Sequence, residues 1–402
     1  MARFVGSLPT LVAATALATG EVRAQQQPGG VDLSDDRHSS MREALGNAGR
    51  TIDDWVDRFS LSGFVATRYY DTARGGSRPD GALVIQAATL FVDVSVKDIG
   101  SVFVETRLDY FAEAGQNNVG IGEAYAKFDR VLDLGADTRL GLKVGRFDLP
   151  FGEYYLLEDP DQNRMIGFPA LFPYRWDEGV MAFVEGAGLG GALAFTDGTY
   201  SRNSESGIGP GVTLRLHARP TSDLYVSASG HYVDSADSGA LCFGGSVITP
   251  VTGSPNTEVR STFGSLDARW QATTNLHLQA SFGGGRIDDG ADEFDRTVIW
   301  WILEPSLQLG TSWMATLRWS GGGTLSPREG YQFESRPYGN GVASYGFDLS
   351  EIQRVAGCLG YTFTKGLVAK AEVGFDHFVA TDTSGLRNDT RVFTAAELVL
   401  SF

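Results

Sequence analysis

The chain has 402 residues, with 33 Lys and Arg against 49 Asp and Glu, giving a formal charge of −16. So acidic a balance excludes a protein that coats nucleic acid, whose electrostatic footprint is basic. Glycine is frequent at 51 residues and aromatics reach 11%, while two cysteines, Cys242 and Cys358, exclude both a disulfide scaffold and a cysteine-based zinc centre.

Taken from the amino end, Arg3 leads an apolar stretch from Phe4 to Thr19, closed by Val22-Arg23-Ala24 before Gln25. This is the layout of a cleaved secretory signal over residues 1–24, too short to span a bilayer. No later run of apolar residues is long enough for a membrane helix; the longest is VIWWIL at 298–303. Residues 25–59 read as a polar periplasmic leader. Within it Met41, Leu45, Ala48, Ile52, Trp55 and Phe59 recur at helical spacing, with Asp53, Asp54 and Asp57 on other faces. That pattern predicts a short N-terminal amphipathic helix capping or plugging a neighbouring domain; the alternative is a brief coiled coil between subunits.

From Ser60 onward the period changes to two. Val102 and Val104 alternate with Phe103 and Glu105, Leu140, Leu142 and Val144 with Arg139, Gly141 and Lys143, and Leu214 and Leu216 with Arg215 and His217. Each such stretch has one apolar and one wet face. About sixteen strands fit residues 60–402, near 60–71, 82–97, 100–113, 119–129, 138–147, 177–186, 190–197, 208–219, 222–234, 258–271, 275–287, 294–309, 311–321, 348–363, 366–380 and 389–402. Short connections interleave with long ones, only the turn at 129–137 exceeding its class. The prediction is an all-β fold, a transmembrane antiparallel up-and-down β-barrel with short turns on one side and long loops on the other. Trp270, Trp300, Trp301, Trp313 and Trp319 are read as an aromatic girdle on the outward faces. The last strand carries Val392, Thr394, Ala396, Leu398, Leu400 and Phe402 on one face and ends on an aromatic.

These features resemble a bacterial outer-membrane porin, in which a terminal aromatic such as Phe402 is the assembly signal. Val144-Gly145-Arg146-Phe147-Asp148-Leu149-Pro150-Phe151-Gly152, with Tyr174-Arg175-Trp176-Asp177-Glu178-Gly179-Val180, resembles the phosphate-selective porin O/P family. The resemblance implies a location in the bacterial outer membrane among lipids and lipopolysaccharide, and a homotrimer. It also implies passive diffusion of small hydrophilic solutes or ions, with anions such as phosphate among them.

The third long loop, 148–176, is expected to fold inward and narrow the channel. Its charged residues include Glu153, Glu158, Asp159, Asp161, Arg164 and Arg175. The alternation places basic Arg68, Arg107, Lys127, Arg139, Lys143 and Arg391 on the inner wall, together with acidic Glu105, Asp109 and Glu123. Arg215, Arg269, Arg318, Arg354 and Lys370 also face inward, against Asp267, Glu304, Glu372, Asp376 and Glu397. Acids on a loop opposite a mildly basic wall make a transverse field. This arrangement admits hydrated solutes without fixing the sign of the preferred ion.

Other motifs carry less. Gly186-Ala187-Gly188-Leu189-Gly190-Gly191 has the dinucleotide-loop spacing but no helix to present amides to a phosphate, and reads as a tight turn. The acidic run 288–295 lacks the closing Glu of a calcium loop. No metal or cofactor is expected. His217, His231 and His277 lie on inward registers but are scattered, so an enzyme is not expected. A barrel enzyme and a non-conducting anchor or receptor barrel stand as the alternatives.

Overall fold

The computed structural model describes residues 56–72, 82–96, 99–111, 116–135, 138–153, 159–173, 176–186, 188–197, 210–236, 243–244, 246–249, 259–288, 296–325, 331–335, 347–380 and 388–402. The signal, residues 25–55 of the leader and Cys242 lie outside the described residues; Val56–Phe59, expected to end the leader helix, belongs to the first strand, where Phe59 pairs with Val94. Period-two segments form β1 (Val56–Thr72), β2 (Ala82–Val96), β3 (Gly100–Phe111), β4 (Gln116–Gly135), β5 (Thr138–Asp148), β6 (Trp176–Glu185), β7 (Leu189–Thr196) and β8 (Gly211–Thr221). They continue as β9 (Leu224–Ala236), β10 (Val259–Gln271), β11 (Leu276–Asp288), β12 (Arg296–Leu309), β13 (Trp313–Thr324), β14 (Phe347–Thr364), β15 (Leu367–Ala380) and β16 (Asp389–Ser401). Each strand pairs antiparallel with the next, and β16 returns to β1 with Phe64 opposite Ser401 and Thr72 opposite Phe393. The ring therefore closes, which removes the two open edges such a sheet would otherwise expose. Gly63 and Phe402 complete the seam through reciprocal backbone hydrogen bonds of 3.1 and 3.0 Å.

Each of the sixteen predicted spans overlaps one observed strand. The exception in length is β4, which runs on through Asp129 and Asp133 to Gly135 with a register shift between Phe128 and Leu132. The long turn predicted at 129–137 is therefore mostly strand.

Sequence neighbours show which side each face meets. Leu216, Leu266 and Leu317 are 57, 63 and 61% exposed, whereas the adjacent Arg215, Asp267 and Arg318 are almost wholly buried. Apolar residues point out and ionisable residues point in. Among the described residues no helix is long and apolar enough to cross a membrane. Trp270, Trp313 and Trp319 stand on the outer face, and Trp313 meets Tyr361 at 4.6 Å between ring centroids. Trp300 departs from the expected girdle. Consecutive residues of a strand face opposite ways, so only one of Trp300 and Trp301 can point out, and Trp300 is the one fully buried inside.

Candidate functional site

The segment after β5 leaves the wall at Asp148 and turns inward through Gly152, whose φ of +70° suits glycine. The Gly152 amide donates to Ser229 Oγ at 2.9 Å. The next residue, Glu153, is buried and receives Ser227 Oγ at 3.0 Å. Its carboxylate is ion-paired with Arg215 of β8, and Arg269 of β10 lies 3.3 Å away. Asp159 begins a tight turn whose carbonyl accepts from the amides of Gln162 and Asn163, and its carboxylate is 3.4 Å from Arg107 Nη2.

The stretch from Pro160 to Ala170 is held by side chains of β13, β14 and β15. Lys370 donates to the carbonyls of Pro160, Asn163 and Met165 at 2.5, 2.8 and 3.4 Å. Glu372 accepts the amides of Ile166 and Gly167 at 2.6 and 3.0 Å. Arg318 donates to Gly167 O and Asn163 Oδ1, Arg354 to the carbonyls of Phe168 and Pro169, and the Ala170 amide to Ser320 Oγ. Apolar contacts accompany the polar ones. Phe151, Met165, Ile166, Ala170 and Leu171 share a buried cluster with Phe263, Trp300, Ile352, Phe378 and Phe393. Phe172 and Pro173 then pair with Gly244 and Phe243 of a later loop.

Across the barrel, Phe64, Phe91, Phe103 and Tyr125 form a ladder on β1 to β4 with centroid spacings of 6.0, 6.0 and 5.2 Å. Lys143 Nζ sits 3.9 Å from the Tyr125 ring centroid, and Lys127 Nζ 5.5 Å from that of Phe183. Glu105 is ion-paired with Arg107 and accepts the Glu123 amide at 3.0 Å, while Glu123 accepts the Asp148 amide at 2.9 Å.

Several predicted residues are thus gathered inside: Glu153, Asp159, Arg68, Arg107, Lys127, Lys143, Glu105 and Glu123. Others are peripheral. Arg139 pairs with Glu185 at 2.8 Å and Arg391 with Asp389 at 2.9 Å, both in exposed surroundings, and Asp161 is exposed. Arg164 is half-buried. Glu158, Arg175 and the side chain of Asp109 lie outside the described residues. The anchoring role of Arg318, Arg354, Lys370 and Glu372 was not foreseen; alternation gave their direction but not their partners.

Histidine chemistry is not assembled. His231 Nδ1 lies 2.8 Å from Thr213 Oγ1, but both are buried and Phe151 packs over the imidazole. His217 stacks on Tyr225 at 5.5 Å, and His277 sits separately at the start of β11. Among the described residues one acid trio, Asp177, Glu178 and Asp197, has carboxylate oxygens within 4.8 Å of one another, with Arg146 bonded to Glu178 at 3.2 Å.

No family model matches the chain, and no curated protein matches its sequence. Solved structures do match. The outer membrane channel DcaP of Acinetobacter baumannii superposes with a TM-score of 0.60 at 12% identity, over 88% of this chain and 99% of that one. An anion-selective porin from Comamonas acidovorans gives 0.58 at 9% identity, over 86% and 99%. OmpT, an outer membrane protein of Vibrio cholerae, gives 0.56 at 9%, over 88% and 100%. The chain has the outer-membrane porin fold. With its apolar outer face, that fold places it in the bacterial outer membrane. At these identities the likeness speaks for the barrel and not for the solute.

Proposed function

We propose that this chain is a porin through which small hydrophilic solutes and ions diffuse passively. The observation that carries the reading is the polar inner wall of β9 to β11. Ser227, Ser229, Ser261, Ser265, Asp267, Gln279 and Ser281 all face the interior of a barrel whose exterior is apolar. Ser261 Oγ, Asp267 Oδ1 and Gln279 Nε2 have no hydrogen-bond partner among the described residues. A polar wall inside an apolar exterior is the layout of a barrel that encloses water rather than a packed apolar core.

The finer reading is a preference for small anions, phosphate among them. The acidic loop residues are partly offset, Glu153 by Arg215 and Arg269, while Asp159 shares Arg107 with Glu105. Lys127 and Lys143 then supply positive charge on the inner wall, and the likeness to an anion-selective porin supports the same sign. The inward segment 148–176 is the constriction in this reading, with the signal peptide, lipopolysaccharide contacts and a homotrimer completing the layout; OmpT of Vibrio cholerae has been solved in a trimer form. Liposome swelling tests the path. Proteoliposomes should swell in small sugars and progressively less in larger ones; equal exclusion of every solute, with the barrel folded, would refute diffusion.

A further inference from the structure

Apolar rings are out of place on the wall of an aqueous path, yet Phe64, Phe91, Phe103 and Tyr125 form a continuous inner ladder across β1 to β4. None of the four is more than 5% exposed. Rings spaced 5.2–6.0 Å apart shield one another's flanks, but not the edges aimed at the barrel axis. An apolar body therefore lies on the ladder from the lumen side. Among the described residues the inward loop is not that body. Phe151, Met165, Ile166, Ala170 and Leu171 belong to a separate cluster with Trp300 and Phe378, and the ladder's cluster takes from this loop only Leu149 at its root.

The chain itself delivers an occupant to the spot. Val56 opens β1 opposite Val96, beside the short turn 96–100, so residues 25–55 arrive at the rim nearest the ladder. From Val56 to Phe64 the strand climbs about 26 Å. Residues 41–55 wound as one helix measure about 22 Å, enough to run back along that climb. Met41, Leu45, Ala48, Ile52 and Trp55 fall on one stripe of such a helix, with Asp53 and Asp54 on its other faces. We propose that residues 41–55 fold back into the barrel with this stripe on the ladder, an internal plug at the mouth on the short-turn side. The polar wall of β9 to β11 stays open to solute, so the plug narrows the path without sealing it. The seat stands apart from the porin reading; only its effect on current rests on that reading.

Hydrogen exchange of the protein folded in detergent tests the seat without conduction. The double variant Leu45→Asp with Ile52→Asp puts charge on the stripe and leaves the barrel untouched. Wild-type amides of 41–55 should exchange at least about ten-fold more slowly than those of the double variant. Phe103→Ser should release them as well. Equal rates in wild type and double variant would overturn the proposal. So would protection that survives Phe103→Ser in a folded barrel, because the helix would then be held by something other than the ladder, such as a second copy. In planar bilayers the double variant should pass at least about two-fold more current per channel than wild type, and equal, non-zero conductance would contradict a plug. If both stayed silent while the double variant lost protection, the porin reading would fail and the seat would stand.

Discussion

On four inner-wall positions an aromatic ring lies against a glycine directly opposite it on the neighbouring strand: Phe183 at Gly141, Phe263 at Gly285, Trp300 at Gly283 and Phe393 at Gly374. A Cβ on Gly283 would come within 2.2 Å of the Trp300 ring, and one on Gly374 within 2.1 Å of Phe393. Glycine in a strand loses entropy and packs nothing by itself. Here the facing ring fills its space and covers the bare backbone, a pairing that shields a glycine otherwise costly in a sheet. The high glycine content is partly explained this way, since bulky inward rings need flat ground. Gly283→Val should therefore displace Trp300 and cost about 1–3 kcal/mol through overpacking. Thermal unfolding in detergent measures it, and an unchanged midpoint would mean that the ring relocates freely.

Among elements, the strands and the third loop obey different logic. Strand positions were legible because one face must meet lipid and the other water, so period two is imposed on every span. Two features escaped. Residues 129–135 carry Asp129, Arg130 and Asp133 in a short space and read as a turn, but a register shift between Phe128 and Leu132 lets β4 continue to Gly135. The run VIWWIL is apolar at both parities, so nothing in it says which tryptophan faces in. The loop's anchoring was not legible at all. Its bonds join residues as far apart as Ile166 and Glu372, or Ala170 and Ser320, and no local period encodes such distances. The last strand belongs to the legible class, with Phe402 half-exposed on the outer face and its backbone locked to Gly63. Deleting Phe402 should remove both seam hydrogen bonds and its share of the apolar outer face. In cells the variant should be depleted from the outer-membrane fraction relative to wild type; full recovery there would separate assembly from this residue.

For the whole molecule, the chain is strongly acidic and so is its interior, where among the described residues seven buried Lys and Arg stand with twelve buried Asp and Glu. Arg68, Arg318, Arg354 and Lys370 meet Glu397, Glu304 and Asp376, and Arg215 meets Glu153. Buried pairs of this kind confer position more than stability, since the cost of removing both ions from water offsets much of their attraction. Position is what the proposed constriction requires. The outside is the reverse, a belt of Leu, Val, Phe and Trp that only hydrocarbon can cover. The account joins these two facts into one claim, that the barrel encloses water and carries ions through lipid. Single-channel recording of the refolded protein in a planar bilayer tests it most directly. The account predicts stepwise current proportional to voltage and rising with salt; a correctly folded, inserted barrel that leaves the bilayer electrically silent would contradict it.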